Sequence, residues 1–275
     1  MITWIASYPK SGNTWVRAFL CSYFSSSHKK FDFNILKNIP TFPHHYEIAF
    51  LRKKYKNFNF NNLAAHWDEF QKILINKNIK FLKTHNALVN FNGYDFTNLN
   101  NTIGVIYVIR DPRDVLISYS NHQNISYEKM FFQMKNNNNF EKTNDYKDRT
   151  LLSSWKNHYN SWKSFPKNYL LIRYEDLLSD PIKYFSKIIK HLSQIYGLKV
   201  DQKKIEKSIN EVKFENLKKI ELEKTFFENP SQNIKEGKNF FRQGKRGQWK
   251  ENLKEELINN IVREFSKEMK ENNYI

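Results

Sequence analysis

Apolar positions in this 275-residue chain follow two alternating periodicities. Short, nearly continuous apolar runs read as strands covered on both faces, and stripes at 3.6-residue spacing read as amphipathic helices. Ile2–Ser7 is the first apolar run, broken by Pro9 and Gly12. Val16, Phe19, Leu20 and Tyr23 then predict a helix over about 12–25. Pro40 and Pro43 interrupt residues 26–61, which read as short helices and loop. Leu63, Trp67 and Phe70 predict a helix over 62–75, and Lys80-Phe81-Leu82 a short second strand. The strongest run, Ile103–Ile109, predicts a central strand. Asp111-Pro112 after it suits a helix N-cap with proline at the first helical position. Residues 121–149 are polar, asparagine-rich and poorly periodic, and read as a flap. A helix over 151–165 carries the stripe Trp155, Tyr159 and Trp162, assigned to the core. A strand over 169–173 precedes a helix from Asp180-Pro181 to Gly197. A helix over 201–212, a charged loop with fraying helix over 215–236 and a last helix over 253–269 complete the pattern. Repeated strand–turn–helix units predict a three-layer α/β/α fold around a central parallel sheet. With no linker or repeat in view, residues 1–275 are expected to form a single domain.

The net charge of +17 raises a nucleic-acid or membrane-surface reading. The lysines, however, are spread along the whole chain with abundant asparagine, and no basic arm or zinc finger is visible. No specific nucleic acid is therefore expected, although the field favours a multiply anionic ligand. No apolar run reaches membrane-spanning length, and Met1–Ser7 is too short and too soon broken by Pro9 to act as a signal peptide. The one cysteine, Cys21, cannot form an internal disulfide and reads as a small buried filler in a reducing compartment. A cytoplasmic protein is the expectation, and the oligomeric state is left unassigned.

The chemistry concentrates at strand ends. Tyr8-Pro9-Lys10-Ser11-Gly12-Asn13-Thr14-Trp15 is a tight turn between a buried strand and a helix. Such a turn aims backbone N–H groups and the positive end of a helix dipole at one point, a site for an anionic oxygen cluster. It is not a Walker loop, because it has one glycine and its lysine precedes that glycine. Lys83-Thr84-His85 follows the second strand, where open α/β sheets place their ligands. Arg110 ends the third strand and Ser118 lies on the helix beyond it. No metal-ligand constellation is found.

These blocks resemble, in order, the PAPS-dependent sulfotransferases. The turn matches their 5′-phosphosulfate loop, Tyr-Pro-Lys-Ser-Gly-x-Thr-Trp, from Tyr8 to Trp15. The resemblance implies a P-loop-type fold and a sulfuryl transfer from PAPS to a hydroxyl or amine, without metal. It implies His85 as general base, Lys10 at the leaving oxygen and Lys83 at the sulfuryl oxygens. Ser11, Gly12, Asn13 and Thr14 would hold the 5′-phosphate, and Arg110 and Ser118 the 3′-phosphate. Tyr174, of Tyr174-Glu175-Asp176, is implied near the adenine, with Trp15 and Phe214 as its two stacking faces. Arg242, Gln243 and Gly244 begin a loop similar to the family's closing loop. Gln243 and Gln248 depart from its usual lysine and aspartate, with Lys245 or Arg246 available to compensate. Arg113 and Asp114 are read as local surface pairs. A small-molecule, carbohydrate or lipid acceptor is expected. A nucleotide kinase or NTPase and a basic nucleic-acid-binding protein are the competing readings.

Overall fold

Each strand of the central sheet runs parallel to its neighbour in the computed structural model, which describes residues 1–25, 30–141, 150–223, 226 and 239–275. The strands are β1 (Ile2–Ser7), β2 (Phe81–Thr84), β3 (Thr102–Ile109) and β4 (Tyr169–Arg173), in the order β2–β1–β3–β4. Residues 40–42 lie along the outer side of β2, where the Phe42 N–H donates to the Lys83 carbonyl at 2.8 Å. The period of two along each strand divides its side chains between two layers. Trp4 and Ala6 of β1 join Val105, Tyr107 and Ile109 of β3 in one core, with Trp67, Trp155, Trp162 and Phe265. Ile5, Ile106, Val108 and Ile172 point the other way, into a core with Val16, Phe19, Phe185 and Ile188. Burial on both faces explains why these strands read as unbroken apolar runs.

The helices that shape the site are α1 (Asn13–Phe24), α2 (Pro112–Gln123), α3 (Tyr127–Lys135), α4 (Trp155–Lys163), α5 (Pro181–Tyr196), α6 (Phe214–Glu223) and α7 (Glu255–Glu271). The Asp111 side chain caps α2 and the Asp180 side chain caps α5, each followed by proline, and Gly197 ends α5 in the left-handed region. Four expectations need correction. The stretch read as a flap contains α3, anchored by buried Met130 and Met134 one helical turn apart; residues 142–149 of it lie outside the described residues. The helix expected over 62–75 is two, Phe60–Ala65 and Trp67–Asn76, separated at His66. The helix expected from 151 starts at Trp155, because Thr150–Leu151 pairs with Phe140–Glu141 and Ser154 supplies the cap of α4. The charged stretch after 214 opens as α6, and residues 224–225 and 227–238 lie outside the described residues.

The strand order places a topological switch at β1. From β1 the chain passes to β2 on one side, then to β3 on the other. In open parallel sheets a ligand crevice forms at such a point, outside the carboxyl ends of the strands. The turn after β1 and Arg110 after β3 meet there.

Candidate active site

The turn after β1 takes two left-handed residues in quick succession, Lys10 at φ 64° and Gly12 at φ 102°. Gly12 is the N-cap of α1, and the Tyr174 ring occupies the space beside it; a Cβ on Gly12 would stand 2.5 Å from that ring. Asn13 fastens the turn to its strand, its Nδ2 donating to the Ile5 carbonyl at 2.9 Å and to Ser7 Oγ at 3.2 Å. Ser11 and Thr14 are buried. Ser11 Oγ, Trp15 Nε1 and Arg110 Nε are buried without a hydrogen-bond partner among the described residues. Orphaned buried groups are costly. The first-turn N–H groups of a helix likewise lack intrahelical partners. A phosphate at this turn would offer acceptor oxygens to donors of this kind, which is the sense in which the residues fit an anionic ligand.

Arg110 brings the separated blocks together. Its Nη1 donates to the Lys10 carbonyl at 3.1 Å, its Nη2 donates to the Lys245 carbonyl at 3.0 Å, and its guanidinium lies 4.5 Å from the Tyr174 ring centroid. Arg113 and Asp114 are not surface pairs; both are buried. Asp114 accepts from the Gly247 N–H at 2.6 Å and the Trp249 N–H at 3.2 Å, holding the closing loop. Burial raises the Asp114 pKa, against the lowering effect of Arg110 and the two backbone donors. Arg113 pairs with Asp111 at 2.7 Å and stacks over Trp249 at 3.7 Å. The pattern misled because Asp114 and Arg113 serve a loop more than a hundred residues away, which no local spacing reveals.

That loop forms one side of a cavity of about 410 Å³, lined by Phe214, Lys218, Arg242, Gln243, Lys245 and Arg246 among others. Gln248, where the family has aspartate, accepts from Arg242 Nη2 at 2.8 Å and donates to the Lys245 carbonyl at 3.0 Å. It therefore braces the loop without charge. Gly244 is left-handed at φ 62°, with Phe214 against its α-carbon face. Ser118 is half-buried on α2. Trp15 meets the rings of Tyr174 and Phe185, while Phe214 meets Phe241, so the two expected stacking faces do not touch one another.

His85 lies just past β2, and its Nδ1 is 2.7 Å from the Ser7 carbonyl oxygen. A carbonyl only accepts, so Nδ1 carries a proton, and in the neutral tautomer Nε2 is the atom with the lone pair. Behind it stands His158 of α4, which the sequence pattern does not single out although it occupies the apolar register of Trp155, Tyr159 and Trp162. His158 Nε2 lies 3.1 Å from the His85 carbonyl and its Nδ1 lies 2.8 Å from Tyr107 Oη. Complete burial pushes its pKa down to about 3, so it is a neutral donor to that carbonyl. Lys83 is buried on β2. Lys10 extends its Nζ over the Phe240 ring at 3.7 Å.

The family described as Sulfotransferase domain matches residues 2–273. The flavonol 3-sulfotransferase of Flaveria bidentis is 25% identical over 265 residues, covering 94% of this chain and 78% of its own. The luciferin sulfotransferase of Photinus pyralis is 26% identical over 275 residues, covering 92% and 68%. Among solved structures, a mouse sulfotransferase complexed with PAP superposes with a TM-score of 0.59 at 17% identity, covering 97% of this chain and 84% of the other.

Proposed function

The chain belongs to the sulfotransferase-domain family, and from that premise we propose that it transfers a sulfuryl group from PAPS to a hydroxyl or amine of a small-molecule acceptor, with residues 1–275 acting as one domain. The observation that carries the residue assignment is the Arg110–Lys10 hydrogen bond. It joins the turn assigned to the 5′ end of the nucleotide to the strand end assigned to its 3′-phosphate. The kinase and nucleic-acid readings give way to the family.

PAPS supplies the sulfuryl group. Ser11, Gly12, Asn13 and Thr14 bind the 5′-phosphate through the start of α1, and Arg110 and Ser118 bind the 3′-phosphate. Arg242, Gln243 and Gly244 close over it, and Trp15, Tyr174 and Phe214 flank the base. His85 accepts the acceptor's proton at Nε2 while Ser7 fixes the opposite edge of its ring. An imidazole suits that task near neutral pH. Lys10 sets a positive charge at the oxygen left on the departing phosphate, and Lys83 sets one at the sulfuryl oxygens. Transfers of this kind depend mainly on positioning and charge stabilisation. The flavonol and luciferin relatives are named for small molecules, which supports the same acceptor class here; a carbohydrate or lipid hydroxyl meets the same chemical requirement. The cytoplasm is the compartment that a single, buried cysteine, Cys21, fits. No helix among the described residues is long and apolar enough to cross a membrane.

Thermal shift with PAP, and with ATP and Mg²⁺ as control, tests the nucleotide assignment. PAP raises the melting temperature and ATP does not. A screen of labelled PAPS over phenolic, carbohydrate and lipid acceptors then tests the transfer. A chain that PAP leaves unshifted and that moves no label overturns the proposal.

A further inference from the structure

His122 lies in the last turn of α2, one turn beyond Ser118 and on the same helix face. Its half-buried ring meets Phe240 edge-on at 6.1 Å, and Phe240 is the ring beneath Lys10 Nζ. Burial first, then the charges of Lys10 and Lys83, push its pKa down to about 3. The imidazole is thus neutral at working pH, with one N–H to give and one lone pair to offer.

Other described histidines spend those groups on the protein. His85 bonds the Ser7 carbonyl, His158 bonds Tyr107 and the His85 carbonyl, His66 bonds Tyr55 and Glu69, and His191 bonds the Asn168 carbonyl. Among the described residues, no hydrogen bond engages either nitrogen of His122. A half-buried imidazole whose nitrogens bond no described residue, beside two lysines assigned to the transfer, keeps one donor and one acceptor for a group that enters the site.

We propose that His122 is a specificity-determining residue that hydrogen-bonds a second polar group of the acceptor, so that the preferred acceptors carry paired hydroxyls, as in a catechol or vicinal diol. The inference rests on the sulfotransferase reading above. The nucleotide is already assigned to Ser11–Thr14, Arg110 and Ser118. His122 continues the Ser118 face toward Lys83, next in sequence but one to the proposed base His85. The lysines serve the sulfuryl and leaving oxygens, which leaves a neutral imidazole for a neutral partner. A hydroxyl matches it, since it can accept from the N–H or donate to the lone pair.

The test compares 2,3-dihydroxynaphthalene with 2-naphthol as ligands of the full chain saturated with PAP, by calorimetry. The diol is expected to bind about tenfold more tightly, the worth of one net hydrogen bond. His122→Phe removes that preference by weakening the diol alone, His122→Gln keeps most of it, and both variants bind PAP as the wild type does. Equal affinities in the wild type, no binding of the diol, or a preference that survives His122→Phe each overturn the proposal. Label transfer from PAPS to 2-naphthol reports on the parent reading separately, because it does not depend on the affinity ratio.

Discussion

Arg110 and Lys10 are joined by a hydrogen bond of 3.1 Å from the guanidinium Nη1 to the backbone carbonyl, while Nη2 reaches the Lys245 carbonyl at 3.0 Å. One planar fork thereby fixes the turn after β1, the end of β3 and the closing loop relative to one another. A lysine has the charge without the fork. Arg110→Lys is expected to weaken PAP about 10–100-fold, the equivalent of one or two charge-assisted bonds, and Arg110→Ala at least as much. Calorimetry measures it, with circular dichroism confirming the fold. Wild-type affinity in Arg110→Lys would sever the two anion sites from each other.

His85 makes a prediction of the opposite kind. Its Nδ1 hydrogen-bonds Ser7, which lies outside the residues assigned to the nucleotide, so its removal is expected to leave the nucleotide site intact. His85→Ala is expected to lose about 10²–10⁴-fold in kcat while the PAP dissociation constant stays within twofold. A variant that still turns over at the wild-type rate removes His85 from the chemistry.

Gly12 reports on the shape of the turn. At φ 102°, and with the Tyr174 ring where a Cβ would go, alanine there meets both backbone strain and a clash. The conformational part alone costs about 1–3 kcal/mol. Gly12→Ala is expected to unfold several degrees lower and to bind PAP poorly. Adding Tyr174→Ala relieves the clash and leaves the strain, so the double variant should recover only part of the loss. Full recovery would mean that the backbone conformation matters little.

What the sequence revealed and what it hid divide along the range of the interactions involved. β1 and β3 were legible because burial on both faces writes an unbroken apolar run, and β4, with burial alternating along the sheet edge, because its short apolar run stands between polar segments. The caps at Asp111 and Asp180 were legible because a cap is made within three residues. The strand-end placement of Lys10, His85 and Arg110 came from the same local pattern. Asp114 was misread because its partners, the Gly247 and Trp249 amides, come from the far end of the chain. α3 was missed because two methionines among lysines and asparagines give a faint stripe, yet both are fully buried. His158 was passed over because a histidine in an aromatic stripe looks like filler until its two hydrogen-bond partners are seen.

His158 also sets an expected pH dependence. Its folded pKa, about 3, lies below the ordinary value of 6.5. Between those two values the unfolded chain binds the extra proton, so stability is full above about pH 6.5 and declines as pH falls toward 3. One proton gives a slope of up to about 1.4 kcal/mol per pH unit. His122 contributes in the same sense. Asp114 and Glu175, raised by burial, act in the opposite sense where they titrate. The difference between wild type and His158→Phe isolates the histidine. Denaturant melts from pH 4 to 7 should show the variant's stability changing with pH by close to one proton less. Parallel curves would mean that His158 is protonated in the folded chain.

Of the two closing-loop residues that depart from the family pattern, Gln243 and Gln248, the first replaces a positive charge. Gln243 is exposed at the cavity that also holds Arg242, Lys245 and Arg246. If this loop closes on the 3′-phosphate, Gln243→Lys restores one positive charge at a solvated position. An exposed charge pair gains little, so PAP should bind about two- to fivefold more tightly at low salt, and the gain should shrink as salt rises. Adenosine 5′-phosphate, which lacks the 3′-phosphate, should show no comparable gain. An equal gain for both nucleotides would place the loop over the 5′ end, and no gain for either would remove Gln243 from the binding site. The neighbouring arginine offers the complementary measurement. Arg242 is tethered by its Nη2 to Gln248 Oε1 at 2.8 Å. Gln248→Ala frees it, and the same two nucleotides then report whether that tether holds the guanidinium toward the phosphate or away from it.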